Sequence, residues 1–198
     1  MMNAITTKAA EPLAATTGSR PLVPRGGNDR VYTPPPLATQ IVRHFCPQGR
    51  VLEPCAGKRA FVHALADCHD IIALDECEID RGDDFFDWRQ PVGWIVTNPP
   101  WSQFRAFLNH SMEVADNIVF LVTLNHFFTR ARMRDVRSAG FGFVEAFLVD
   151  TPPAPWPQSG FQLAAIHIER RWNGPMAMTY ANAGGEGPRT TDSADTTD

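Results

Sequence analysis

The sequence predicts an α/β fold: a doubly wound, mostly parallel sheet closed by a carboxyl-terminal antiparallel edge hairpin. Three observations predict it. Short apolar runs alternate with segments of helical period through the middle of the chain. The run NIVFLVTL, 117 to 124, has no polar alternation, as expected of a strand covered on both faces. The last two strand-like runs are joined by a proline-rich connection, which suits a hairpin and not a helical crossover.

Each element follows from its local pattern. PPPLATQIVRHF (34 to 45) places Leu37, Ile41, Val42 and Phe45 at helical spacing after a proline start. GRVLEP (49 to 54) is a short strand, and KRAFVHALAD (58 to 67) a helix with Phe61, Val62 and Leu65 on one face. DIIALD (70 to 75) predicts a second buried strand and VGWIVTN (92 to 98) a third. Between these two, residues 76 to 92 hold little helical pattern, so one helix of the usual winding is expected to shrink to a loop. SQFRAFLNHSMEVA (102 to 115) is helical, with Phe104, Phe107, Leu108 and Met112 recurring, and TRARMRDVRSAG (129 to 140) is a helix ended by Gly140. GFVEAFLVD (142 to 150) and FQLAAIHIE (161 to 169) form the closing pair, joined by TPPAPWPQSG. The order of elements is that of a Rossmann-like sheet.

Composition limits the function classes. A chain of 198 residues, 43% hydrophobic and 20% charged, can bury one ordinary core, expected over residues 31 to 175. Residues 1 to 30 and 176 to 198 are aperiodic and read as disordered tails. No apolar run approaches the ~18 residues of a membrane span, and the first thirty residues lack a signal peptide's apolar block. Cys46, Cys55, Cys68 and Cys77 show neither C-x-x-C pairing nor zinc-type spacing with histidine. Reduced thiols in a cytoplasmic protein, without a metal, are the expectation. The net charge of −4 argues against a surface that grips nucleic acid everywhere. A local patch remains: RARMRDVR carries Arg130, Arg132, Arg134 and Arg137 against Asp135, either to meet phosphates or as a solvated helix face. The nine acids from Asp67 to Asp87 would turn nucleic acid toward that helix.

Ligands of such folds lie outside the carboxyl ends of the strands. The first predicted strand ends at Glu53 and runs through EPCAG into Gly57, just before a helix. The second ends at Asp75, placed to accept a ribose's hydroxyls. The third runs into Asn98-Pro99-Pro100-Trp101. Proline has a fixed φ, donates no hydrogen bond and pushes its predecessor out of the helical region. This turn therefore leaves its strand abruptly, either as a plain strand stop or to present an amide and an aromatic face to something planar. His126, after the NIVFLVTL strand, reads as a core or loop histidine before a pocket residue.

EPCAG, Asp75, DDFFDW (83 to 88), NPPW and VYTPPPLA (31 to 38) together make the sequence resemble class I S-adenosylmethionine-dependent methyltransferases of the adenine-N6 branch, over about residues 31 to 172. The resemblance implies S-adenosylmethionine as cofactor and nucleic acid, DNA first, as partner. It implies that Glu53, Ala56 and Gly57 hold the cofactor's amino acid moiety, with Tyr32 and Thr33 at the far side of the methionine. Asp75 would take the ribose and Asp84 the adenine amino group, with Asp83 as its rival and Phe85 packed on the ring. Asn98 and the Pro99 carbonyl would accept from the target amine, Pro100 would hold the turn, and Trp101 would stack on the base. Trp156 lies where the family places substrate-contacting loops, and Arg130, Arg132 and Arg134 would meet the backbone. Arg59 stands where the family usually has a second glycine, and is expected to crowd the cofactor. RNA, a protein glutamine, or a non-catalytic binding role are the alternatives. No added DNA-reading domain is visible in the sequence, so either the recognised sequence is short or a protein partner supplies specificity.

Overall fold

Three prolines bring the chain into its first helix. In the computed structural model, which describes residues 31–181, Pro34 is extended and Pro35 opens α1 (Pro35–Phe45), where the missing N–H costs nothing. The chain continues through β1 (Gly49–Glu53), α2 (Ala60–Ala66) and β2 (Ile71–Glu76). The stretch expected to be a loop holds two 3-10 turns, Ile79–Arg81 and Phe85–Asp87, each closed by an acidic side chain accepting from the backbone. Then come β3 (Val92–Thr97), a 3-10 turn at Trp101–Gln103, α3 (Phe104–Val114), β4 (Ala115–Thr123), α4 (Leu124–Phe127), α5 (Arg130–Ser138), β5 (Phe141–Val149), β6 (Leu163–Arg170) and β7 (Ala177–Tyr180).

The seven strands form one sheet in the order β2-β1-β3-β4-β6-β5-β7. Only β6 runs antiparallel to its neighbours, β4 and β5. Side-chain alternation divides the core in two. Ile95, Ile118 and Phe120 join Phe104 and Leu108 of α3 on one face, while Val96, Val119 and Leu121 join Ile41 of α1 and Leu65 of α2 on the other. β4 is buried on both faces, as its unbroken apolar run predicts.

Three expectations need correcting. The hairpin of β5 and β6 does not end the sheet, because β7 pairs in parallel with β5 and takes the edge. The domain therefore runs past residue 175 through β7, and Ala181 N–H still donates to the Leu148 carbonyl at 2.8 Å. Four residues are too few to show a strand period, so only the open edge of β5 reveals them. Lastly, β2 is an edge strand and not a buried one: Ile72 is 86% exposed, because no helix follows β2 to cover it. Of the tails expected at 1 to 30 and 176 to 198, residues 1 to 30 and 182 to 198 lie outside the described residues. Among the described residues no helix is long and apolar enough to cross a membrane, and all four cysteines are free thiols.

Candidate active site

The carboxyl ends of β1 and β3 are tied together under the site. Glu53, 1% exposed, accepts from Thr97 Oγ1 at 2.5 Å and from the Cys55 N–H at 2.8 Å, both through Oε1. Burial pushes its carboxyl up to about 8, against the lowering effect of those two donors. The loop after β1 is shaped by two left-handed residues, Gly57 (φ 48°) and Arg59 (φ 65°). Its Ala56 N–H reaches the Cys77 carbonyl at 3.0 Å, so the loop lies against the exit of β2.

Arg59 does not crowd this loop. It adopts the left-handed conformation that a glycine would take there, at a cost of about 1–2 kcal/mol. Its side chain turns away to pair with Glu76 at 3.0 Å, and Glu76 also holds Arg81 at 2.7 Å. The neighbour that lines the cleft is Lys58. A carboxylate oxygen of Glu78 accepts from the Gly57 N–H.

A strap formed by Val31, Tyr32 and Thr33 crosses the loop. The Tyr32 ring lies so near Gly57 that a Cβ there would stand 3.0 Å from it, and Lys58 Nζ is 4.9 Å from the ring centroid. The Val31 carbonyl accepts from Asn98 Nδ2 at 3.1 Å. Asn98 itself follows directly on Thr97, the last residue of β3, and Pro100 (φ −63°, ψ 119°) leads into the 3-10 turn that Trp101 begins. One cleft thus gathers Tyr32, Thr33, Ala56, Gly57 and Asn98 from three distant segments, with Cys55 and Lys58 beside them.

Other expected residues lie elsewhere. Asp75 is ion-paired with Arg50 at 2.8 Å and is not on the cleft wall. Strand alternation explains this: Asp75 lies opposite Leu52, whereas Glu76 lies opposite Glu53, so the acids reaching the Gly57 loop are Glu76, through Arg59, and Glu78. Asp84 Oδ1 accepts from the Phe86 N–H at 3.0 Å, within its own turn. Phe85 is 2% exposed and packs between Phe107 and His110, a core position with no open face for a cofactor ring. Trp156 is likewise core, 5% exposed, because the proline-rich loop folds it back under the sheet; the exposed aromatic of that loop is Phe161, at 54%. Arg130 and Arg134 are exposed, but Arg132 folds inward over the Phe104 ring, at 4.9 Å, and donates to the His126 carbonyl.

His126, for which the sequence favours a core or loop place over a pocket one, lies beside the Asn-Pro-Pro-Trp turn. Its ring stacks on Trp101, with centroids 5.7 Å apart and planes 25° from parallel. Burial, and then Arg132, hold its imidazole below the ordinary histidine range, while a hydrogen bond to the Trp101 backbone acts the other way. A histidine within the first turn after a fully buried strand, at the sheet end that carries the site, was the available signal.

No protein-family model matches this chain, nor does any curated protein. Solved structures do. A structure of a type I restriction-modification system, solved for its complex assembly and conformational transition, matches with TM-score 0.54 and 18% identity over 77% of this chain; this chain spans 45% of that one. A 23S rRNA methyltransferase, ErmE, matches with TM-score 0.53 and 18% identity over 72% of each chain. A protein of Listeria monocytogenes named as a candidate class I S-adenosylmethionine-dependent methyltransferase matches with TM-score 0.52 and 10% identity over 73% of this chain and 62% of its own. The chain has the fold of the class I S-adenosylmethionine-dependent methyltransferases.

Proposed function

We propose that this protein is an S-adenosylmethionine-dependent methyltransferase acting on an exocyclic amine, with adenine N6 in DNA as its substrate. The observation that carries the proposal is that Asn98 of the Asn-Pro-Pro-Trp turn and the bare backbone of Gly57 share one cleft.

The residues present fit the cofactor's amino acid end. Gly57, having no Cβ, lets the Tyr32 ring close against the loop, so that loop and strap form the two walls of the cleft. Lys58 adds a cation suited to a carboxylate, and Tyr32 and Thr33 close the far side. Glu53 holds the loop from below through the Cys55 N–H. Asp75 and Asp84 already accept from Arg50 and the Phe86 N–H, and would share their carboxylates between those donors and a bound cofactor. When bound, the cofactor supplies a methyl group already activated by a positively charged sulfur.

The chain's own work is to make the amine a better nucleophile. The lone pair of an adenine amine is spread into the ring. Asn98 Nδ2 is held by the Val31 carbonyl, which leaves Oδ1 as the acceptor toward the substrate. With the Pro99 carbonyl it would accept from the two amine hydrogens, favour a tetrahedral nitrogen and return the lone pair toward the methyl. Trp101 would stack on the base, worth ~1–3 kcal/mol, and holding the two reactants in line supplies further rate. A base in duplex DNA would have to flip out to reach the turn. Arg130 and Arg134 would meet phosphates, and a partner protein would supply sequence recognition, a reading supported by the assembly named for the restriction-modification structure. The rRNA methyltransferase supports RNA as the second reading. Incubation with methyl-labelled cofactor and DNA, RNA or cell extract, followed by digestion to nucleosides, decides between them. No label in any of the three would reject the enzyme.

A further inference from the structure

We infer that His126 is the positioning residue of Trp101, with Arg132 and Phe104 holding the imidazole in place. The inference rests on the reading of the Asn-Pro-Pro-Trp turn as the substrate pocket, and it reassigns Arg132 from phosphate contact to support of the pocket.

A ring contact joins His126 to Trp101, a near-parallel stack at 5.7 Å and 25°. The indole is thus held by a side chain from α4, at a different strand end. The ring of His126 is fixed in turn. Phe104 meets it edge-on at 5.1 Å. Arg132 donates to the His126 carbonyl and brings Nη2 to 3.5 Å from Nε2. A guanidinium has donors only, so Nε2 is the nitrogen without a proton. The proton then sits on Nδ1. Arg132 is itself anchored by the Phe104 ring beneath it, so the arrangement closes on itself: Trp101, His126, Arg132 and Phe104, with Phe104 three residues after Trp101 in the same chain segment.

A planar face is useful to a base only if its orientation is fixed before binding, because an indole that must first be ordered costs affinity. Trp101 follows two prolines and starts a 3-10 turn with no side-chain cap of its own. The turn fixes the Trp101 backbone, and the His126 ring fixes the indole plane.

The test has two arms. In the first, the protein alone is labelled with 15N at its five tryptophan indoles, and the Trp101 signal is identified by its loss in Trp101→Phe. His126→Gln removes the ring and should move the Trp101 signal while the other four stay in place; His126→Phe keeps a ring and should move it less. An unmoved Trp101 signal in His126→Gln overturns the inference, whatever the protein's substrate. In the second arm, methyl transfer to an adenine-containing oligonucleotide is measured. His126→Gln should raise KM roughly three- to tenfold, the range that an aromatic pair is worth, with a smaller change in kcat, and His126→Phe should recover most of the loss. In the Trp101→Ala background the same His126 substitution should add almost nothing, since its effect passes through the indole. Full additivity overturns the inference. Absence of transfer by the unaltered protein counts against the methyltransferase reading, and the indole spectra then decide the inference alone.

Discussion

Glu53 Oε1 and Thr97 Oγ1 are 2.5 Å apart, so the last side chain of β1 is tied to the last side chain of β3, one residue before Asn98. The same oxygen holds the Cys55 N–H of the loop that leads to Gly57. One buried carboxyl therefore serves both halves of the candidate site.

This carboxyl predicts a pH-dependent stability. Its folded value is about 8 against 4.5 in an ordinary glutamate, so between those limits the folded chain keeps a proton that the unfolded chain releases. The stabilisation is complete below pH 4.5 and is lost as pH rises toward 8, by up to ~1.4 kcal/mol per pH unit. Urea midpoints measured across this window should fall with pH in the unaltered protein and stay flatter in Glu53→Gln. Equal slopes in both proteins would refute the assignment.

His167 predicts the opposite trend on the acid side. Burial lowers its imidazole to about 4 from 6.5, and it stacks on Trp94 at 5.0 Å while bonding Asn117 Oδ1 at 3.1 Å. Its contribution is present above pH 6.5 and is lost as pH falls through 4. His167→Phe, which keeps the stack, should remove that part of the acid-side loss in a calorimetric melting series.

Asn98→Ala should lower methyl transfer by ~100-fold or more, the loss typical of one preorganised transition-state contact. Cofactor affinity, measured by titration calorimetry, should fall far less than turnover, because Asn98 reaches the cofactor's strap only through the Val31 carbonyl while its acceptor faces the substrate. A circular dichroism melt on the same sample distinguishes this from unfolding. Normal turnover would refute the role.

Gly57→Ala should weaken cofactor binding at least tenfold, since φ is 48° and the new Cβ would meet the Tyr32 ring at 3.0 Å. Glu78→Gln, at the Gly57 N–H, should cost more affinity than Asp75→Asn, whose carboxylate is directed to Arg50. The reverse order would restore Asp75 to the ribose.

On the basic helix, Arg130→Gln with Arg134→Gln should flatten the salt dependence of DNA binding by roughly two contacts' worth, about 0.9 in slope for each. Arg132→Gln should leave the slope alone and act through His126. Fluorescence anisotropy across a salt series measures both.

The sequence by itself determined what depends on neighbours along the chain. The alternating periods specify strands and helices, the unbroken run at 117 to 124 specifies a central strand, and two prolines specify the break after Asn98. Gly57 and the Asn-Pro-Pro-Trp turn were legible because backbone restriction is a local property. Tertiary structure decided what depends on pairing and on which face a side chain takes. Asp75, Glu76 and Glu78 look alike in sequence, and only the register of β2 against β1 sends the first to Arg50 and the others toward the Gly57 loop. Phe85 and Trp156 look like ligand-facing aromatics until the packing around them buries both. β7 exists because β5 offers an open edge, a condition absent from its own four residues. His126 and Trp101 are 25 residues apart in the chain, and their stacking follows only from the adjacency of β3 and β4.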